Sequence, residues 1–189
     1  MKNKETAVFG GGCFWCTEAI YKLVKGVEKV EPGYAGVHEG NPSYKMVCTG
    51  TTGHAEIIRV TYDPKIVSYS DLLEIFWNAH DPTTLNRQGN DVGTQYRSTI
   101  LFQNKEQKEL AELSLKDTDA SGMFKRPIVT KIEALEVFFP AEDYHSDYFA
   151  NNPNQPYCRA VIAPKVQHFL EGYHEILRKK SSSSSYIPG

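Results

Sequence analysis

No stretch of this 189-residue chain is apolar and uninterrupted for long enough to span a bilayer, and its first residues, Met1 to Thr6, lack the apolar core of a secretory signal. Both absences predict a soluble, cytoplasmic protein with no membrane partner. Charge of either sign is not in excess: 21 lysines and arginines stand against 23 aspartates and glutamates, for a formal net charge of -2. Without a dense basic cluster, nucleic-acid binding is not expected. Cysteine is scarce, at four residues, and a chain of this size can close a core without disulfide staples. Zinc is poorly served as well, because Cys13 and Cys16 form the one Cys-x-x-Cys pair while Cys48 and Cys158 stand far apart with no Cys or His at ligand spacing. No metal is expected. Gly10-Gly11-Gly12 lacks the Lys-Ser/Thr of a phosphate-binding loop, and no Gly-x-Gly-x-x-Gly follows a strand. The chain is therefore expected to work with side chains alone, without a cofactor.

What is present is concentrated in Gly10 to Glu18, where a cysteine follows a glycine run and precedes two large aromatics. Ala7, Val8 and Phe9 read as a strand, and Ala19, Ile20, Leu23 and Val24 give helical spacing over Glu18 to Lys25. That places Cys13 in the first helical turn. Unpaired N–H groups and the helix dipole there can lower a thiol pKa below about 8.5 and populate the nucleophilic thiolate.

Further strands are predicted at Gly26 to Val37, His54 to Asp63, Ser98 to Gln103 and Val129 to Val137. In the second of these, Ile58, Val60 and Tyr62 share one face, and Ile57, Arg59 and Thr61 the other. Helices are predicted at Ser70 to His80, with Ser70 as N-cap, and at Lys105 to Asp119, with helical turns around Glu142 to Ala150 and Lys165 to Leu177. Asp81 to Arg97 is a long polar, glycine-containing loop of the kind that often carries function. No linker or composition shift divides residues 1–180, which are expected to form one domain, with 181–189 a serine-rich mobile tail. Several strands follow one another without an intervening helix, which predicts a mixed or antiparallel sheet.

A second cluster, Thr52-Gly53-His54-Ala55-Glu56, puts a carboxylate at the start of an apolar strand, where desolvation would favour the neutral acid. Together with Gly12-Cys-Phe-Trp15, Asn41-Pro-Ser-Tyr44, Val47-Cys48, Phe76-Trp77, His80-Asp-Pro-Thr83, Arg87-Gln-Gly-Asn-Asp91, Gly93-Thr-Gln-Tyr-Arg97 and Ala141-Glu-Asp-Tyr-His145 with Tyr148, this series resembles the A-type peptide methionine sulfoxide reductases. The resemblance extends to about Lys180. It implies an α+β fold, a ferredoxin-like two-layer sandwich with helices packed on a mixed or antiparallel sheet. It also implies reduction of methionine-S-sulfoxide, free or in proteins.

By the same resemblance Cys13 is the nucleophile, Glu56 the proton donor, and the hydroxyls of Tyr44 and Tyr96 the groups that polarise the sulfoxide oxygen, with Asp91 in the same pocket. Phe14 and Trp15 form the wall for the S-methyl group, although aromatics at such positions are equally compatible with ordinary core. His54, His145 and Tyr148 are assigned supporting roles at the pocket's rim. Cys13 then becomes a sulfenic acid, which a second thiol converts to a disulfide for reduction by thioredoxin. Many relatives have glycine at the position of Cys16 and a glycine-rich C-terminal segment carrying recycling cysteines, so the resolving thiol is open. Cys16, one helical turn away, is favoured; Cys158 is the alternative, and a relay through both is possible. Cys48 is read as a buried structural thiol. Two rival classes are a general Cys-x-x-Cys disulfide oxidoreductase and a noncatalytic zinc- or methionine-binding module.

Overall fold

The computed structural model describes residues 3–36 and 40–173. The serine-rich 181–189 segment, Val37, Glu39 and the end of the helix predicted up to Leu177 lie outside them. In chain order the elements are β1 (Glu5–Gly11), α1 (Phe14–Tyr21), β2 (Val27–Ala35), α2 (Tyr44–Val47), β3 (Ala55–Tyr62), α3 (Tyr69–Ala79), a two-residue hairpin of β4 (Arg87–Gln88) and β5 (Asp91–Val92), β6 (Ser98–Phe102), α4 (Lys105–Ala120), β7 (Lys131–Ala134), β8 (Phe139–Pro140), α5 (Tyr148–Asn151) and α6 (Ala163–Gly172). Short 3-10 turns cover Thr94–Tyr96 and Asp143–His145, and a π-helical turn at Cys158–Ile162 leads into α6.

The main sheet runs β7-β6-β1-β3-β2-β8. Its inner four strands are antiparallel in the order β6-β1-β3-β2, the ferredoxin-like arrangement in which β1 and β2 flank β3 and are joined through α1. β7 joins β6 in parallel and β8 joins β2 antiparallel, so the sheet is mixed. The alternation expected in β3 holds: Ile58, Val60 and Tyr62 enter the main core with Phe9, Ile20, Tyr21, Leu72, Leu73 and Phe76, whereas Ile57 joins a smaller cluster with Val8, Ala35 and Leu101. Phe9 is stacked against Tyr21, Tyr69 and Phe76 at centroid separations of 5.6, 6.1 and 5.3 Å, and anchors both helices to the sheet.

Several elements depart from expectation: α1 stops at Tyr21 rather than Lys25, β7 covers Lys131–Ala134 rather than Val129 to Val137, and the Asp81 to Arg97 loop holds the β4–β5 hairpin and a 3-10 turn. α3 begins at Tyr69, capped by Ser68, because Ser68 and Asp71 exchange side-chain and backbone hydrogen bonds in a capping box. Ser70 has Leu73 three residues on and cannot form one. α1 begins at Phe14, so Cys13 occupies the N-cap position, just outside the first turn.

The glycine run is fixed by its neighbours. Gly12 has φ +88°, and a Cβ there would lie 2.6 Å from Gln88 Cγ; a Cβ on Gly11 would meet the His80 ring at 3.2 Å. His80 is itself locked, with Nδ1 2.8 Å from the Phe76 carbonyl and Nε2 2.7 Å from Ser98 Oγ. Burial holds its pKa down, at about 4. The unfolded chain therefore takes up this proton first, so stability is complete above about pH 6.5 and falls as pH drops toward 4, by about 3 kcal/mol. Urea unfolding should show that loss in wild type and a shallower one in His80→Asn; equal pH slopes would contradict the assignment.

Candidate active site

Cys13 and Glu56 meet where the C-terminal end of β1 passes into α1. Glu56, second residue of β3, lies beside β1 in the sheet and is 2% exposed. Its Oε2 accepts the Phe14 N–H at 3.1 Å, so a carboxyl from another strand satisfies a helix N-terminal donor that Cys13 does not cap. Burial, followed by the neighbouring Cys13 charge, pushes the Glu56 carboxyl well above the usual range, and the Phe14 bond does not reverse this. Burial at this position therefore favours the neutral acid.

Cys13 departs from expectation. It is 6% exposed, and burial raises its thiol well above the ordinary value, reinforced by a hydrogen bond with Cys16. The same bond lowers Cys16. The Tyr157 hydroxyl and the Trp15 N–H, which favour a thiolate, do not offset the burial of Cys13.

A polar wall faces this corner. Tyr44 opens α2, its backbone N–H donating to Glu142 Oε1 at 2.9 Å. Tyr96 ends the 3-10 turn at 94–96, which is tied to the loop before β3: Arg97 donates to the Thr94 and Gly53 carbonyls, both at 2.9 Å, and Thr94 Oγ1 donates to the Gly50 carbonyl at 3.0 Å. Burial holds both phenols well above their ordinary pKa, keeping them as O–H donors, and Glu56 contributes to the shift of each. Asp91, on the hairpin, accepts the Tyr157 hydroxyl at 2.6 Å.

The aromatic residues divide between two environments. Phe14 is fully buried and belongs to the main core, 5.8 Å from Tyr34 and 6.3 Å from Tyr44 between centroids. Trp15 is half-buried, and Tyr148 lies flat on it at 3.7 Å with an interplanar angle of 7°. That stack depends on a turn at Asp147, which has φ +56° and is held by buried Glu18 accepting its N–H at 2.9 Å and by Lys22 pairing with its carboxylate. Trp15 Nε1 donates to His145 Nδ1 at 3.0 Å. His54 is buried, edge-on against Phe139 at 5.4 Å.

Three of the four cysteines come together. Cys158, at the start of the π-helical turn, packs with Cys13, Cys16 and Ile162 in one buried cluster. Cys48 corrects the sequence reading: it is exposed, because the turn of α2 directs Val47 into the core and leaves Cys48, the C-cap, outside, bonded to the Tyr44 hydroxyl. Tyr157 is the site residue that sequence reasoning passed over; its hydroxyl touches both Cys13 and Cys16 as well as Asp91. Its one sequence signal was adjacency to Cys158. Among the described residues, no group of three His, Cys, Asp or Glu side chains is arranged to hold a metal ion, and no helix is long and apolar enough to cross a membrane.

Comparison with known proteins gives a consistent result. The family model described as peptide methionine sulfoxide reductase matches residues 5–177. A relative named peptide methionine sulfoxide reductase MsrA, from Saccharolobus solfataricus, is 55% identical over 88% of this chain and 93% of its own. One of the same name from Leptospira borgpetersenii is 53% identical over 94% and 99%. Among solved structures, Mxr1 from Saccharomyces cerevisiae in reduced form superposes with a TM-score of 0.75 at 36% identity, covering 82% of this chain and 89% of that one.

The burial pattern makes a direct prediction about the thiols. Brief alkylation of the native reduced protein, read by peptide mass spectrometry, should label Cys48 at least tenfold faster than Cys16 or Cys158. Equal labelling of all four would contradict the placement of α2 and of the C-terminal segment.

Proposed function

The chain belongs to the peptide methionine sulfoxide reductase family, and we propose that it reduces the S-epimer of methionine sulfoxide, free or in proteins, with thioredoxin as final reductant. The observation that carries this reading is the neutral, buried Glu56 beside the Cys13 thiol. Reduction of a sulfoxide needs both groups. The Cys13 sulfur attacks the substrate sulfur while Glu56 protonates the oxygen, since unprotonated oxide cannot leave. The S–O bond then breaks and water leaves, its second proton coming from the Cys13 thiol; that water adds to the Cys13 sulfur as the new S–S bond breaks, which releases methionine, returns a proton to Glu56 and leaves Cys13 as its sulfenic acid. Tyr44 and Tyr96, as O–H donors, polarise the S=O group as negative charge gathers on oxygen. Asp91 fixes the opposite side through Tyr157, and Trp15, backed by Tyr148, receives the methyl group. Phe14 supports that wall from beneath. Chirality at sulfur follows from placing an apolar wall and a donor wall on opposite sides of one nucleophile.

In the second stage a thiol attacks the Cys13 sulfenic sulfur, and water leaves as the disulfide forms. Cys16 is favoured, supported by its hydrogen bond with Cys13 and its lowered pKa. Cys158 is the second reading, supported by its place in the same buried cluster. A dithiol then reduces the disulfide by exchange. The yeast protein Mxr1 has been solved in complex with Trx2, and a thioredoxin is the dithiol we assign here. Thiol–disulfide exchange expels no oxygen, so a general disulfide oxidoreductase would have no use for the paired phenol donors Tyr44 and Tyr96. A cytoplasmic setting completes the proposal, because a reducing compartment keeps these thiols reduced.

Single-turnover and recycling assays on one S-epimer substrate test the reading. Wild type, Cys16→Ser and Cys158→Ser should each form one methionine per enzyme without reductant. With thioredoxin, Cys16→Ser should lose at least tenfold in steady-state rate and Cys158→Ser should retain most of it. No methionine from wild type would defeat the reductase reading, and selective failure of Cys158→Ser would transfer the resolving role.

A further inference from the structure

Both walls of the pocket hang on one carboxylate that no step of the reaction uses. Glu142 accepts the Tyr44 N–H on Oε1 at 2.9 Å, and on Oε2 the hydroxyls of Tyr34 and Tyr144 at 3.3 and 3.2 Å and His145 Nε2 at 3.1 Å. His145, 0% exposed, accepts the Trp15 indole N–H on Nδ1. A chain of hydrogen bonds thus runs Trp15, His145, Glu142, Tyr44, from the methyl wall to the donor wall.

The chemistry of the two end groups fixes the imidazole between them. An indole N–H can only donate, so Nδ1 must be bare. Burial pushes the Glu142 carboxyl up, but the Tyr44 N–H, Tyr144 and His145 outweigh it and leave the group below the usual range, ionised and able only to accept. Nε2 therefore carries the hydrogen. A second proton on the ring would go to Nδ1 and set N–H against N–H at 3.0 Å. The ring is faced by Trp15 and Phe14 from α1, Tyr44 from α2, and Glu142 and Tyr144 from its own turn. Glu142 is the one charged group among these and favours the imidazolium, yet burial has the larger effect and holds His145 below its ordinary pKa.

We infer that His145 is a positioning residue for the substrate pocket: neutral, it ties the Trp15 indole to Tyr44 through Glu142, and protonation releases the indole and weakens capture of the sulfoxide. The inference rests on Trp15 forming the methyl wall. Nothing in it requires His145 to touch substrate or either thiol.

The chain has two tryptophans, so indole N–H resonances of nitrogen-15-labelled protein are assigned with one variant, Trp15→Phe. On lowering the pH from about 8 to about 5, across and below the ordinary histidine value, the Trp15 signal should titrate. The Trp77 signal, whose N–H donates to Ser114 at 2.8 Å, should stay still. In His145→Asn, whose side-chain carbonyl can still accept the indole, the titration should vanish. In parallel, His145→Leu should raise KM for methionine sulfoxide about tenfold, the loss of one buried hydrogen bond, with kcat within about twofold. His145→Asn should keep a near wild-type KM and lose its rise at acid pH. A Trp15 signal indifferent to pH in wild type overturns the inference. So does an indole titration accompanied by an unchanged KM in His145→Leu, which leaves the thiol chemistry standing. If wild type makes no methionine at all, the functional reading falls, and the indole titration still reports separately on the relay.

Discussion

The structure turns on a single hydrogen bond, from the Phe14 N–H to the Glu56 carboxyl. A helix must find partners for its first N–H groups, and here a strand across the sheet supplies one. That bond places a carboxyl beside the Cys13 sulfur without any flexible connection. Burial decides protonation at the site: it raises both Glu56 and Cys13, and neither the Phe14 N–H on Glu56 nor the Trp15 N–H and Tyr157 hydroxyl on Cys13 reverses this.

Everything around this corner holds two strands and one helix end in register. Gly11 and Gly12 let β1 run against His80 and Gln88, and Gln88 donates to and accepts from the Asp81 backbone through both ends of its amide. Arg97 and Thr94 join the Tyr96 turn to the loop that opens β3. On the far side Glu18, a fully buried carboxyl, fixes the Asp147 turn and with it Tyr148. Such buried polar groups contribute little to net stability and much to geometry, because each is costly unless every partner is in place.

The core of the fold was legible where periodicity was strong. The alternation of Ile58, Val60 and Tyr62 and the apolar stripe from Leu72 to Trp77 identified β3 and α3, and the expected strands with no helix between them pointed to a mixed sheet. Ends were harder: Ser68 and Ser70 are both plausible caps by type, and only the pairing with Asp71 separates them. Glu56 was legible as a neutral acid from its apolar strand. The Cys13 environment was not, since a helix N-terminus alone argues for a lowered thiol, and the carboxyl beside it lies 43 residues away in sequence. Cys48 was misread because α2 is one turn long, too short for a pattern to tell its inside from its outside. Tyr157 was missed because contacts across the C-terminal segment leave no local signature.

The central claim is that a neutral Glu56 delivers the proton that lets oxygen leave. The most direct test is the single-turnover rate of methionine formation from an S-epimer substrate, measured against pH for wild type and Glu56→Gln. The account predicts a loss of about 10²- to 10⁴-fold in the variant at neutral pH, with the wild-type rate falling at high pH as the carboxyl ionises and the variant lacking that limb. A Glu56→Gln rate within about twofold of wild type, with the same pH profile, would contradict it.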